Sequence, residues 1–482
     1  MELNVRNELF INGQWQPAAS EETSSVINPA TQEVVGHAAY AGAKETEAAI
    51  TAAHEAFCTW AATPAAERSA YLQAMYQKVV RHADWLAEIM TLEQGKPLEE
   101  AKGEVLWGAS FLEWYAEETK RVYGETIPSG SADQTFLVKK QPVGVVGAIT
   151  PWNFPSSMIT RKLAPALAAG CTVVLKPAPE TPLSAIALYQ LFEECELPAG
   201  VINLVTGDAE KIGQALMRSE NVRKLAFTGS TAVGKKLMSE AASTVKKVSL
   251  ELGGHAPYIV FDDADIDAAV DGLMMNKFQN NGQTCICANR IFVHETIYDE
   301  FVEKFAEQMK TVTVGDGYND KVHVGPLIHE EAVQKVERHI DDAVNKGATL
   351  VYGGKRLNTG AHSNGHFVEP TLLTGVTKEM ELYQEETFGP VAPIFSFRDD
   401  EEVLQMANAT PYGLAAYFYT KDLRRTMKIS DSLQYGMVGV NAPALGFAQA
   451  PFGGMKQSGM GREGGHHGIE DFVDYQFINI NY

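Results

Sequence analysis

Between residues 44 and 122 apolar residues recur at spacings of three and four among charged ones, as in "TEAAITAAHEAFCTWA" and "AERSAYLQAMYQKVVRHADWLAEIMTLEQGK". That period predicts a series of long helices. From 134 to 150 the chain reads "QTFLVKKQPVGVVGAIT", rich in β-branched residues and closed by Pro151, which predicts extended structure. Beyond it short apolar runs alternate with helical patterns: "CTVVLKP" and "TPLSAIALYQLFEEC", "GVINLVTG" and "DAEKIGQALMRS", "VRKLAFTG" and "STAVGKKLMSEAA". Strand, glycine or proline, then helix, repeated in this way, predicts βαβ units and a parallel sheet, hence an α/β fold with a nucleotide-site candidate.

A second α/β series starts near "APYIVF" and runs through "ANRIFVHETIYDEFVEKFAEQMK" and "DDEEVLQMANAT". The closing "EDFVDYQFINI" is β-type again and, with 123–144, belongs to neither series. No fixed-period repeat is present.

At 482 residues the chain is long enough for two or more folding units. Its net charge of -21 repels polyanions and predicts no nucleic-acid partner. No run of about 18 apolar residues occurs, so no membrane-spanning helix is expected. "MELNVRNELFINGQW" lacks the basic start and apolar stretch of a signal peptide, and a soluble, cytoplasmic protein is expected. Five scattered cysteines (Cys58, Cys171, Cys195, Cys285, Cys287) make no disulfide framework and no zinc spacing. No metal site is expected, and His466 and His467 in "GGHHG" read as an exposed turn.

Four stretches carry candidate chemistry. In "FTGSTAVG", Gly229, Ser230 and Gly234 lie where an apolar run meets a helix, and a helix N-terminus offers free N–H groups to phosphate. In "ELGGHAPYIVF", Glu251 precedes two glycines, either as a solvated loop carboxylate or as a general base. In "NNGQTCICANR", Cys285 stands among polar residues, either as a buried structural thiol or as a nucleophile whose thiolate is held by backbone N–H groups. In "TPWNFPSSM", Asn153 is presented between an aromatic pair and two prolines, either as a capped turn or as an amide donor to an oxyanion.

Taken in order, "PWNFP", "LKPAPETP", "FTGSTAVG", "ELGGHAP", "GQTCICANR", "EETFGP" and "PFGGMKQSGMGRE" resemble the NAD(P)-dependent aldehyde dehydrogenase family over essentially the whole chain. "EQGKPLEEAKGEV", "YGETIP" and "MITRK" look most like its succinate-semialdehyde group. The resemblance implies a Rossmann-like cofactor domain (1–122 and 142–254), a second α/β catalytic domain (255–467), and a small β oligomerisation arm (123–141 and 468–482) that joins a homodimer or homotetramer. It implies Cys285 as nucleophile, Glu251 as water-activating base, Asn153 as oxyanion donor and Lys162 near the proton path. Around the cofactor it places Trp152, Lys176, Pro179, Gly229, Ser230, Gly234 and Glu386. Pro179 stands where NAD-preferring members often carry Glu, so NADP is admitted beside NAD, and activity with both is expected.

The chain departs from the semialdehyde group in the substrate pocket. Arg161 of "MITRK" is present, but Gln279 stands where the group usually has arginine, and Gly446 and Phe447 stand in place of a serine. A charge-assisted contact to a distal carboxylate is reduced to a neutral one. A short semialdehyde such as succinic semialdehyde remains the expected substrate, with Phe154, Phe447 and Phe452 as pocket walls, and a broader aliphatic or aromatic aldehyde as the alternative. A non-catalytic binding protein on the same scaffold is the alternative from another class. Cys287 is either a loop-filling thiol or, by resemblance to some semialdehyde dehydrogenases, the partner of Cys285 in a redox switch.

Overall fold

The computed structural model of the chain describes residues 4–319 and 321–482. The helical stretch consists of Ala43–Ala62, Ala65–Arg81, Ala83–Gln94 and Leu98–Glu118. Pro64 and Pro97 stand immediately before the second and fourth of these. A residue without an N–H loses nothing at a helix start, so the prolines separate the helices at no cost in hydrogen bonds. The third ends at Gly95, left-handed at φ 95°.

Five parallel strands form the centre of the first sheet, in the spatial order Ile202–Leu204, Thr172–Lys176, Val145–Ile149, Val222–Thr228, Lys247–Glu251. Leu9–Ile11 and Gly459–Met460 flank them antiparallel. The central strands are buried on both faces, which is why they read as continuous apolar runs rather than alternating ones. The first and fourth strands in chain order are neighbours, with the second and third on one side and the fifth on the other. Their connections diverge, leaving a crevice at the carboxyl ends where α/β sheets bind ligands. Asn153 follows the first strand, Gly229 the fourth, and Glu251 ends the fifth.

A second sheet has six parallel strands in the order Thr371–Thr374, Val391–Phe397, Ala288–His294, Ala256–Val260, Ala415–Tyr419, Met437–Val440, with Thr349–Tyr352 antiparallel at one edge. Cys285 lies just ahead of Ala288–His294. A third, three-stranded sheet pairs Val473–Asn481 with Gln134–Pro142, and Gln134–Pro142 with Glu125–Ile127, all antiparallel. Val473–Asn481 is an edge strand carrying exposed Tyr475 and Phe477. Among the described residues no helix is long and apolar enough to cross a membrane.

Candidate active site

Helix Ile266–Phe278 stops at Gln279, and Asn280, Asn281 and Gly282 then take left-handed φ angles of 48°, 56° and 73°. Asparagine and glycine are the residue types that adopt this region at least cost. Space also demands Gly282, since a Cβ there would stand 2.3 Å from the Gly389 carbonyl oxygen. The turn brings Cys285 to the wall of a cavity of about 630 Å³. Cys287 is buried away from that wall, with Lys277 Nζ 3.2 Å from its Sγ, and both thiols are free. Burial pushes the Cys285 thiol up to about 12; Glu386 and Glu251 add to the rise and Arg161 opposes it. At rest the group is therefore a neutral thiol.

Asn153 is buried against the same loop. Its Nδ2 donates to the Gln283 carbonyl at 2.9 Å, while its own carbonyl accepts from Lys96 Nζ at 2.8 Å and Asn280 Nδ2 at 2.9 Å. Lys96 is ion-paired with Glu104, and both side chains are almost wholly buried. Glu104 in turn accepts from the backbone N–H groups of Ser156 and Ser157, at 3.0 and 3.1 Å. These start helix Ser157–Ala169, where a carboxylate meets unpaired donors and the positive end of the helix dipole.

Glu251 is buried, and neither of its carboxyl oxygens has a hydrogen-bond partner among the described residues. Burial and the nearby Glu463 hold its pKa well above the ordinary carboxylate range, against the pull of Arg161, Lys162 and Arg462. Glu463 behaves oppositely: burial raises it, but Lys162 and Arg161 outweigh that and keep it below its usual value. Arg161 Nη2 lies 2.8 Å from Glu463 Oε2, and Lys162 Nζ bonds Glu463 Oε1 and, at 2.6 Å, Thr228 Oγ1. Two carboxyls in one buried region have their pKa values pushed in opposite directions, a pattern found at reactive sites.

The cavity is mostly apolar, with Trp107, Phe154, Phe278 and Phe452 in its walls, and its polar members include Glu100, Glu104, Arg161, Gln279 and Thr284. Arg161 is stacked on Phe452, its Cζ 4.1 Å from the ring centroid. Of the three phenylalanines expected as walls, Phe154 and Phe452 line the cavity and Phe447 does not. Gly446 lies against Trp107, where a Cβ would come within 2.8 Å of the indole, and Phe447, next along, is 49% exposed.

The groups expected at the cofactor lie outside the lining of this cavity. Lys176, at the carboxyl end of its strand, makes no ion pair among the described residues, and burial lowers its pKa to about 8, with Glu180 opposing. Ser230 caps helix Thr231–Ala241, its Oγ accepting from Val233 N at 3.3 Å, and Gly234 lets that helix close on Leu252, whose Cδ2 would stand 2.4 Å from a Cβ. Glu386 accepts from Gly254 N at 3.2 Å, and burial raises it to about 7. Trp152 packs edge-on against Phe388 at 5.7 Å, and Pro179 is exposed. A buried ammonium without a counter-ion, a helix N-terminus and a carboxyl fit the phosphates and ribose hydroxyls of a dinucleotide.

Sequence reasoning missed Lys96, Glu104 and Glu463. Glu104 sits in an amphipathic helix and Lys96 in the turn before it, and nothing in their local pattern marks them as buried.

The chain is similar to known proteins over nearly its whole length. The model of the aldehyde dehydrogenase family matches residues 15–478. The chain is 53% identical over 474 residues to a 3-sulfolactaldehyde dehydrogenase of Pseudomonas putida, covering 98% of this chain and 97% of the other. It is 52% identical over 475 residues to the NADP(+) succinate-semialdehyde dehydrogenase of Escherichia coli, covering 98% of each. Among solved structures, an E. coli NADP dependent enzyme superposes with a TM-score of 0.97 at 51% identity, over 99% of this chain and 98% of that one.

Proposed function

The chain belongs to the aldehyde dehydrogenase family, and from that premise we propose how its residues divide the oxidation of a short semialdehyde, such as succinic semialdehyde, to the acid with NAD(P)+. The single observation that carries the reading is that Cys285, on the cavity wall, feels the charge of Glu251, a buried carboxyl with no hydrogen-bond partner among the described residues.

Cys285 gives its proton to the ionised form of Glu251, which releases it before the hydrolytic step, and the thiolate Sγ attacks the aldehyde carbon, forming a C–S bond as the carbonyl electrons move to oxygen. Asn153 Nδ2 and the Cys285 backbone N–H donate to that oxygen. The bound nicotinamide supplies the hydride acceptor. Once the thioester has formed, Glu251 takes a proton from water, the water oxygen attacks the acyl carbon, the C–S bond breaks and Cys285 leaves as thiolate. Lys162 and Glu463 lie beside Glu251 on the route by which that proton departs. With a bound nicotinamide as the oxidant, a thiol, an amide donor and a base would complete the conversion to a free acid.

Lys176, Trp152, Glu386 and the Gly229–Gly234 turn hold the dinucleotide. Pro179 leaves room for a 2′-phosphate, so both NAD and NADP serve. The distal carboxylate of the substrate is met by Arg161 and Gln279. A second reading, broad aliphatic or aromatic aldehyde oxidation, is favoured by the cavity itself: about 630 Å³ with Trp107, Phe154, Phe278 and Phe452 in its walls is more than a four-carbon chain fills.

The proposed division is a cofactor domain of 1–122 and 142–254, a catalytic domain of 255–467 and an arm of 123–141 and 468–482. Exposed Tyr475 and Phe477 on the edge strand Val473–Asn481 support pairing of the arm in a homodimer or homotetramer. Five free cysteines suit a reducing, cytoplasmic setting.

The test is kcat/KM for succinic semialdehyde, glutaric semialdehyde, hexanal and benzaldehyde, each with NAD and with NADP. A lead of more than about tenfold for a semialdehyde, roughly 1.4 kcal/mol, supports the first reading. Equal or faster turnover of hexanal or benzaldehyde supports the second, and no turnover with any aldehyde overturns both.

A further inference from the structure

Asn153 can donate to a developing oxyanion only if its amide is held still, and its one bond to the loop that carries Cys285, Nδ2 to the Gln283 carbonyl at 2.9 Å, does not by itself fix the backbone of the turn. The structure shows what does. Two donors from different parts of the chain converge on the Asn153 carbonyl: Lys96 Nζ at 2.8 Å and Asn280 Nδ2 at 2.9 Å. Asn280 is in turn held by Gln94, whose Nε2 donates to its Oδ1 at 2.9 Å. Lys96 is paired with Glu104, whose carboxylate also bonds the backbone N–H groups of Ser156 and Ser157, three and four residues past Asn153.

We propose that Lys96 and Glu104 are positioning residues for the oxyanion site, fixing the Asn153 turn to helix Leu98–Glu118 while Asn280 fixes it to the Cys285 loop. The proposal rests on the reading of Asn153 as the oxyanion donor.

Three features favour positioning over general packing. The pair is buried at 0% and 1% side-chain exposure, where a lysine and a glutamate are expensive to place unless their partners are fixed. Among the described residues, the hydrogen bonds that Lys96 Nζ and the Glu104 carboxylate make beyond their own pairing go to residues 153–157. The Lys96 ammonium also stands 4.1 Å from the ring centroid of Phe154, the cavity-wall residue next to Asn153. The pair therefore grips both ends of the turn, while the Asn153 amide has one N–H on the Gln283 carbonyl and a second to offer an oxyanion.

The experiment is a double-mutant cycle on the full-length enzyme, using Asn153→Ala, Lys96→Met and the two combined, with Glu104→Gln as an independent second probe. Asn153→Ala lowers kcat by about 100- to 1000-fold, the usual loss for one oxyanion donor. Lys96→Met and Glu104→Gln each lower kcat by about 10- to 100-fold with KM for aldehyde within about threefold, because a displaced catalytic group costs rate rather than binding. The double variant is no slower than Asn153→Ala alone, since a residue that acts through Asn153 has nothing left to position. Cofactor binding, read by fluorescence titration, is unchanged in all four and shows that each has folded. Multiplicative losses in the double variant, or full kcat in both Lys96→Met and Glu104→Gln, overturn the proposal. Full kcat in Asn153→Ala instead overturns the oxyanion reading beneath it. If Lys96→Met does not bind cofactor, Glu104→Gln combined with Asn153→Ala runs the same cycle.

Discussion

Gly254 sits so close to Cys285 that a Cβ built on it would stand 2.3 Å from the Cys285 carbonyl oxygen. The glycine pair at the end of "ELGG" thus sets how near the Glu251 strand comes to the thiol-bearing loop. Gly254→Ala must push that loop away, and a shift of about 1 Å at a reacting group costs on the order of 100-fold in rate. The expected outcome is a fall in kcat of that order, with cofactor affinity retained, in steady-state kinetics and fluorescence titration. Wild-type kcat would show that the loop yields without consequence.

The pH dependence of Cys285 reactivity follows from its surroundings. Burial, Glu386 and Glu251 raise its pKa to about 12, so at any given pH a smaller fraction is thiolate than in an ordinary thiol of pKa about 8.5. Without cofactor, its alkylation by iodoacetamide is slow near neutrality. The rate climbs through the alkaline range with no plateau where an ordinary thiol levels off. Mass spectrometry of the labelled peptide distinguishes Cys285 from Cys287. A plateau near neutrality would mean that the thiolate is stabilised in the free enzyme.

Gln279 lines the cavity as a neutral group, and Arg161 is already paired with Glu463. Gln279→Arg supplies an uncommitted cation for the distal carboxylate, and a hydrogen bond to a charged group contributes about 1.5–3 kcal/mol. The variant is expected to raise kcat/KM for succinic semialdehyde by about tenfold or more and to lower it for hexanal. An unchanged ratio of the two would remove position 279 from substrate selection.

Pro179 is exposed near Lys176, and Glu180 already lies close enough to raise the Lys176 pKa. Pro179→Glu adds a second carboxylate facing the 2′-phosphate position. KM for NADP is expected to rise several-fold more than KM for NAD, like charges in a partly dry site being the larger effect. Equal changes for both would place the 2′-position elsewhere.

Much of this architecture is legible along the chain because strand and helix alternate with regular punctuation. Four of the five central strands of the first sheet fall inside the apolar runs ended by Pro151, Pro177, Gly207 and Gly229, whereas Lys247–Glu251, "KVSLE", is too polar to stand out. Gly459–Met460 is not legible: two residues carry no period, and their pairing with Leu250 and Glu251 is fixed by contacts from far along the chain. The ordered motifs point to Cys285, Glu251 and Asn153, whereas Lys96 and Glu104 look like ordinary charges in a helical stretch. Their burial depends on how helix Leu98–Glu118 meets helix Ser157–Ala169, a tertiary fact with no local trace. Phe447 fails as a wall for a similar reason, since Gly446 against Trp107 decides where the next side chain goes.

The central claim is that Cys285 carries the acyl group and Glu251 activates the water that removes it. Glu251→Gln, mixed with succinic semialdehyde and NADP, then quenched in acid and digested, tests it most directly. The account predicts a burst of reduced cofactor close to one per site, then near arrest, with a succinyl mass increment on the peptide at Cys285 and none at Cys58, Cys171 or Cys195. Fragmentation must place the group on Cys285 rather than Cys287. Steady turnover at the wild-type rate, or a burst with no acyl group on Cys285, would contradict the account.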